Sequence, residues 1–161
     1  MENQVIPFAL DSDPLLALAP EVILSETLES LIASAETTFG GEACEAFHDG
    51  QLVEVEVVCD AKIVEAVYDA NSCELLDAHV QPVGRRGKRV VRALDRAVLT
   101  LVDAMDVAKG AVGPGESLEA GLRTTGSDGG RRFEVILRTS EGVYEIQVDS
   151  ASGRLVRVVP R

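Results

Sequence analysis

Val53-Glu54-Val55-Glu56-Val57 and Phe133-Glu134-Val135-Ile136-Leu137 stand 80 residues apart, and both place an apolar side chain at every second position. That period belongs to a half-buried strand. The match runs on without a gap: Val64, Ala66 and Tyr68 correspond to Tyr144, Ile146 and Val148, Asp69 to Asp149, Cys73 to Gly153, Leu75 to Leu155 and Leu76 to Val156. An internal repeat constrains architecture before any single motif does, so the chain reads as two related halves.

Turn residues sit at matching places, Asp60-Ala61-Lys62 and Ser140-Glu141-Gly142, so each half predicts a β-hairpin. With Asp60 and Ala61 as a two-residue turn, Val57 faces Val64, Val55 faces Ala66 and Val53 faces Tyr68, all on one side of the sheet. A further turn, Asp69 to Cys73 or Asp149 to Gly153, leads into a short last strand. Upstream, Leu24, Leu28, Leu31, Ile32, Ala35 and Phe39 recur at helical steps before Gly40-Gly41. In the second half Val91, Leu94, Val98, Leu101, Val102, Met105 and Ala108 do the same, and Gly110 reads as the stop. Cys44 to His48 with an Asp49-Gly50 turn answers Leu118 to Leu122 with a longer Thr125 to Gly130 loop, and about ten residues are inserted in the second half. The expected fold is α+β, two repeats, each a helix packed on a small antiparallel β-sheet of three to four strands in a meander. The expected divisions are an N-terminal segment (1–20), an acidic repeat (21–80), a basic linker (81–90) and a second repeat (91–161). Units of about 70 residues are marginal alone, so a shared interface is expected.

Charge divides along the same line. Residues 1–80 hold one basic residue, Lys62, against 17 acidic ones, while residues 81–161 hold 14 basic and 10 acidic. The first half is expected to repel nucleic acid and acidic membranes and to attract cationic partners. Glu54, Glu56 and Glu65 should project from the face opposite the core as a docking patch for a basic protein surface. Arg85, Arg86, Lys88 and Arg89 cluster where the halves join, with Arg92 and Arg96 beyond them. They read as a linker or a strap against the acidic half, with an external anionic ligand as the other choice.

Chemistry-bearing motifs are sparse. Cys44, Cys59 and Cys73 contain no CxxC pair and read as free thiols, which favours a reducing compartment. Cys44, His48 and Asp49 supply three potential zinc ligands with no fourth nearby, so His48-Asp49 reads as a turn and no metal is assigned. Gly110 to Gly115 lacks the Lys-Ser/Thr ending of a phosphate loop. No nucleophile motif is present, so no enzyme activity, catalytic residue or cofactor is expected. No apolar run reaches bilayer length, and Met1 to Gln4 has no basic leader region, so the expected location is cytoplasmic, or periplasmic or envelope if a signal was removed. Asn3 to Ala19 carries enough apolar residues to dock on the first repeat.

The alternating strand that ends in Val148-Asp149-Ser150-Ala151-Ser152-Gly153-Arg154-Leu155 resembles the PepSY domain family, and residues 91–159 resemble it better than residues 22–80. The first half departs from the pattern with Cys73 at the turn glycine and Glu74 at the basic position. The resemblance implies a helix-on-antiparallel-sheet fold and a non-catalytic role. Members occur in propeptides, in regulatory regions of peptidases and in envelope proteins, where binding or inhibition is the usual proposal. The expected function is a protein-binding or regulatory module, inhibitor-like toward a partner protein. The second reading is an acidic decoy or assembly subunit that binds a cationic surface by charge. Nothing in the sequence names the partner, and self-association stays open.

Overall fold

Each alternating segment buries its apolar residues on one face only, and that face needs helices to cover it. The structure, a computed structural model, describes residues 20–124 and 130–161, and of residues 20–27 the backbone alone. Its elements are α1 (Pro20–Phe39), β1 (Glu42–His48), β2 (Leu52–Cys59), β3 (Lys62–Asp69), β4 (Leu75–Pro82), α2 (Arg85–Leu94), α3 (Leu101–Val112), β5 (Glu116–Thr124), β6 (Arg131–Thr139), β7 (Gly142–Asp149) and β8 (Leu155–Pro160). The expected docking of the N-terminal segment and residues 125–129 of the expected loop fall outside the described residues.

All eight strands belong to one antiparallel sheet in the order β4-β3-β2-β1-β5-β6-β7-β8. This corrects the expected fold of two repeats, each with its own small sheet. β1 pairs with β5 at the centre, with Ala46 opposite Ala120. The physical reason is the free edge of each half: both first strands would otherwise leave a row of backbone donors and acceptors unpaired, and joining them also merges two small cores. Val53, Val55, Val57, Phe133, Val135 and Leu137 are fully buried on one face of the sheet, in a single core with Leu28, Ile32, Ala35, Leu101, Met105 and Ala108. α1 packs on β1, β2, β3 and β5, and α3 on β1 and β5 to β8. The Lys109 ammonium and the Glu29 carboxylate pair between the two helices.

The halves keep step in detail. Val57 faces Val64, Val55 faces Ala66 and Val53 faces Tyr68, and in the second hairpin Leu137 faces Tyr144, Val135 faces Ile146 and Phe133 faces Val148. A bulge interrupts β1 between Ala43 and Glu45, and another interrupts β5 between Ser117 and Glu119. Just before those bulges, a side chain on Gly41 would run into the Val58 carbonyl, and one on Gly115 into the Arg138 carbonyl. The central strands therefore correspond at a spacing of 74 residues, and the outer ones at 80. Six residues, not about ten, separate the two spacings, and they lie between β5 and β6.

The single helix expected over Val91 to Ala108 is two helices. Thr100 accepts a hydrogen bond from the Asp103 N–H at 3.2 Å while Asp103 accepts one from the Thr100 N–H at 2.9 Å, and this capping box starts α3 afresh. Gly110 lies inside α3, and the stop is Gly113, at φ +98°. The stretch read as a basic linker is structured too: Gln81 and Pro82 end β4, and Arg85 to Arg89 are the first half of α2, which packs on β1 and β5.

Candidate functional site

Glutamates alternate with the buried valines of β2, so pleating delivers them to the sheet face away from α1 and α3. Cross-strand registers then line them up. One row runs His79, Glu65, Glu56 and Glu45 across β4, β3, β2 and β1, and continues with Gly121, Glu134, Gln147 and Arg157 across β5 to β8. The next row runs Asp77, Val67, Glu54 and Phe47, then Glu119, Ile136, Glu145 and Val159. Glu54, Glu56 and Glu65 are thus brought together as the sequence reading expected. Glu45, Phe47, Glu119 and Arg86 complete with them the wall of an open depression of about 310 Å³.

Phe47 occupies the middle of this face, 43% exposed, between Glu54 on β2 and Glu119 on β5. An aromatic ring left half in water amid carboxylates is the unusual feature of the face, because a core would normally claim it. Burial is the main force raising the Glu56 carboxyl above its usual range, helped by the neighbouring Glu45 and then Glu65, and countered by Arg86. Burial likewise raises the Cys44 thiol, which donates to Glu56 Oε2 at 3.7 Å.

Arginines neutralise the other half of the face. Arg123 Nη1 is 2.7 Å from Glu45, its Nη2 2.6 Å from Glu119 and its Nε 3.8 Å from Glu134. Arg161 grips Glu145 Oε2 through Nε at 3.1 Å and Nη2 at 2.8 Å, which with its charge holds the Glu145 carboxyl below its usual range. Arg138 stands 3.3 Å from Glu116. Glu54, Glu56 and Glu65 have no ion pair among the described residues.

Of the basic cluster only Arg86 reaches the acidic face, at 3.5 Å from Glu45 with its side chain 80% exposed. Arg85, Lys88 and Arg89 are exposed on α2 and form no ion pair among the described residues. The stretch thus lies against the acidic half mainly through backbone pairing, Gln81 with Ile63 and the Val83 N–H to the Ala61 carbonyl, and among the described residues Arg86 is the one cation of the cluster that forms an ion pair there. Cys44 and His48 part company. The Ala43/Glu45 bulge turns the thiol to Glu56, whereas buried His48 points Nδ1 at Glu116 Oε1, 3.7 Å away. Asp49 Oδ1 accepts from the Gln51 and Leu52 N–H groups at 2.8 Å each, the turn chemistry expected of it. Among the described residues no three His, Cys, Asp or Glu side chains converge to hold a metal ion. Cys44, Cys59 and Cys73 are all free thiols.

Sequence reading missed Phe47, Glu45, Glu119 and Arg123. The alternation Glu45-Ala46-Phe47-His48 did carry a signal for the first two, since Ala46 and His48 are the buried pair. Nothing in the sequence announced that β5 lies beside β1, and without that pairing Glu119 and Arg123 have no reason to join the site.

No family model matches the chain, and no curated protein matches it. A crystal structure of a putative lipoprotein from Clostridium difficile 630 superposes with a TM-score of 0.49 at 17% identity, over 89% of this chain and 100% of that one. Among the described residues no helix is long and apolar enough to cross a membrane.

Proposed function

We propose that this chain is a non-catalytic protein-binding module, and that the open sheet face of its first half docks a cationic segment of a partner protein. One observation carries the reading: Phe47 stands exposed among Glu45, Glu54 and Glu119, and beside it Glu54, Glu56 and Glu65 form no ion pair among the described residues. An arginine or lysine laid over the ring meets the negative face of the π system while its donors reach the carboxylates. The unneutralised charge steers the partner in, and the ring supplies apolar contact that water cannot replace. An inhibitor-like role follows if the segment so covered is one the partner needs free. The PepSY resemblance belongs to this reading. It is supported by the turns after β3 and β7, where Asp69 and Asp149 each accept from the N–H four residues on, at 2.9 and 2.8 Å, and each holds the loop through its carboxylate.

The test is a titration of the full chain with an arginine- and lysine-rich peptide and with its glutamate-substituted control, at about 0.1 M and about 1 M salt, where the screening length falls from roughly 10 to 3 Å. The cationic peptide is expected to bind, to weaken steeply with salt and to outcompete the control. Equal binding of both peptides, or affinity indifferent to salt, overturns the proposal.

A further inference from the structure

Among the described residues no strand pairs with the outer edge of β4 or of β8. Every residue of β4 is exposed, and so is every residue of β8 except half-buried Val159. Leu76 and Val80 on β4 are 55% and 54% exposed, and Leu155 and Val158 on β8 are 48% and 38% exposed. Such edges offer unpaired backbone N–H and C=O groups flanked by apolar side chains, and proteins ordinarily cover or charge them.

The two edges carry opposite charge at equivalent positions. Asp77 on β4 and Arg157 on β8 are the same position in the two halves, each pairing with the middle of its neighbouring strand, at Val67 and Gln147. Asp77 accepts only from its own neighbour, the Ala78 N–H at 2.9 Å, and neither Asp77 nor Arg157 has an ion pair among the described residues. Eight antiparallel strands also leave β4 and β8 running in opposite directions. A second copy set beside the first without being turned over therefore presents its β8 antiparallel to β4, continuing the alternation of the sheet.

We propose that β4 of one copy pairs with β8 of another, joining chains head to tail through a shared sheet. With Ala78 opposite Val158 the strands overlap along their length, and the Ala78 N–H exchanges the Asp77 carboxylate for the partner's backbone carbonyl. Asp77 then lies diagonally between the partner's Arg157 and Arg161, within reach of a cross-strand pair. Val80 and Ala78 meet Val158 on the helix side of the sheet, extending the apolar layer past the end of each copy. A symmetric pairing lacks this attraction between opposite charges: centred on residue 77, β4 on β4 sets Asp77 against Asp77, and centred on residue 157, β8 on β8 sets Arg157 against Arg157. A heterologous contact does not stop at two copies. Pro82 and Pro160, which lack the donor a strand needs, end the pairing at each edge.

Sedimentation velocity on the full chain, across about three decades of concentration, reads the outcome. The mass is expected to rise past the dimer as concentration increases. Asp77→Arg and Arg157→Asp should each weaken association about tenfold by setting like charges on diagonal positions, and the Asp77→Arg/Arg157→Asp double variant should recover part of that loss, because the attraction between positions 77 and 157 returns with its signs exchanged while Arg161 stays. Both positions are exposed, so all three variants should keep the parent's unfolding midpoint. A chain that stays monomeric throughout, a mass that stops at the dimer, or single variants that associate like the parent overturns the proposal.

Discussion

The two halves of the sheet share a scaffold and differ in what they do with their carboxylates. Over β5 to β7, Glu119, Glu134 and Glu145 are each met by Arg123 or Arg161, so the face is ionic but close to neutral. Over β1 to β3, Glu54, Glu56 and Glu65 stand on equivalent strands with no ion pair among the described residues, around a half-exposed phenylalanine. Backbone geometry is common to both, which leaves the surface chemistry as the distinguishing variable. Unpaired like charges cost folding stability, so their presence on one half alone points to a use for that half.

Three measurements bear on the shared scaffold and on the difference, the largest effect first. Gly41→Val and Gly115→Val should each destabilise by about 3 kcal/mol, as overpacking against a fixed carbonyl does, and by similar amounts, as read by urea unfolding. Unequal costs would show that the scaffold is less symmetric than its registers indicate. A smaller effect separates the last turns. Cys73 sits at φ +58° where Gly153 sits at φ +69°, so Cys73→Gly should stabilise by about 1 kcal/mol and Gly153→Ala should destabilise by a similar amount.

Acidification should move the halves in opposite directions, by less than either backbone change. The Glu56 carboxyl is raised by burial, so it adds stability when protonated and loses that contribution as pH rises through its folded value; its window opens above the ordinary 4.5. Glu145 is lowered by the Arg161 hydrogen bond, so it adds stability above 4.5 and loses it as pH falls through its folded value. Thermal midpoints of Glu56→Gln and Glu145→Gln against pH should therefore diverge from the parent with opposite sign. Parallel curves would mean that the two carboxylates share one environment.

Hairpins were legible in the sequence because period two and a two-residue turn determine register: Val57 with Val64 and Leu137 with Tyr144 follow from spacing alone. The sheet was not, because joining the halves depends on which free edge meets which, and Ala46 beside Ala120 carries no local mark of that choice. The helix break was written in Thr100 and Asp103 but masked by the apolar stripe, which continued through Val98 although that residue is 62% exposed. The acidic residues of the site were readable from alternation. Their neutralisation was not, since Arg123 reaches Glu45 only across the central seam.

The most direct test of the account repeats the peptide titration on two variants. Glu54→Gln/Glu56→Gln/Glu65→Gln removes the unpaired carboxylates of the first half, and Glu134→Gln/Glu145→Gln removes two that arginines already neutralise. The first should lower affinity for the cationic peptide by about a hundredfold at low salt, and the second by less than about threefold, because charges already paired have little left to offer a partner. Equal losses in the two variants, or a greater loss in the second, would contradict the assignment of binding to the first half.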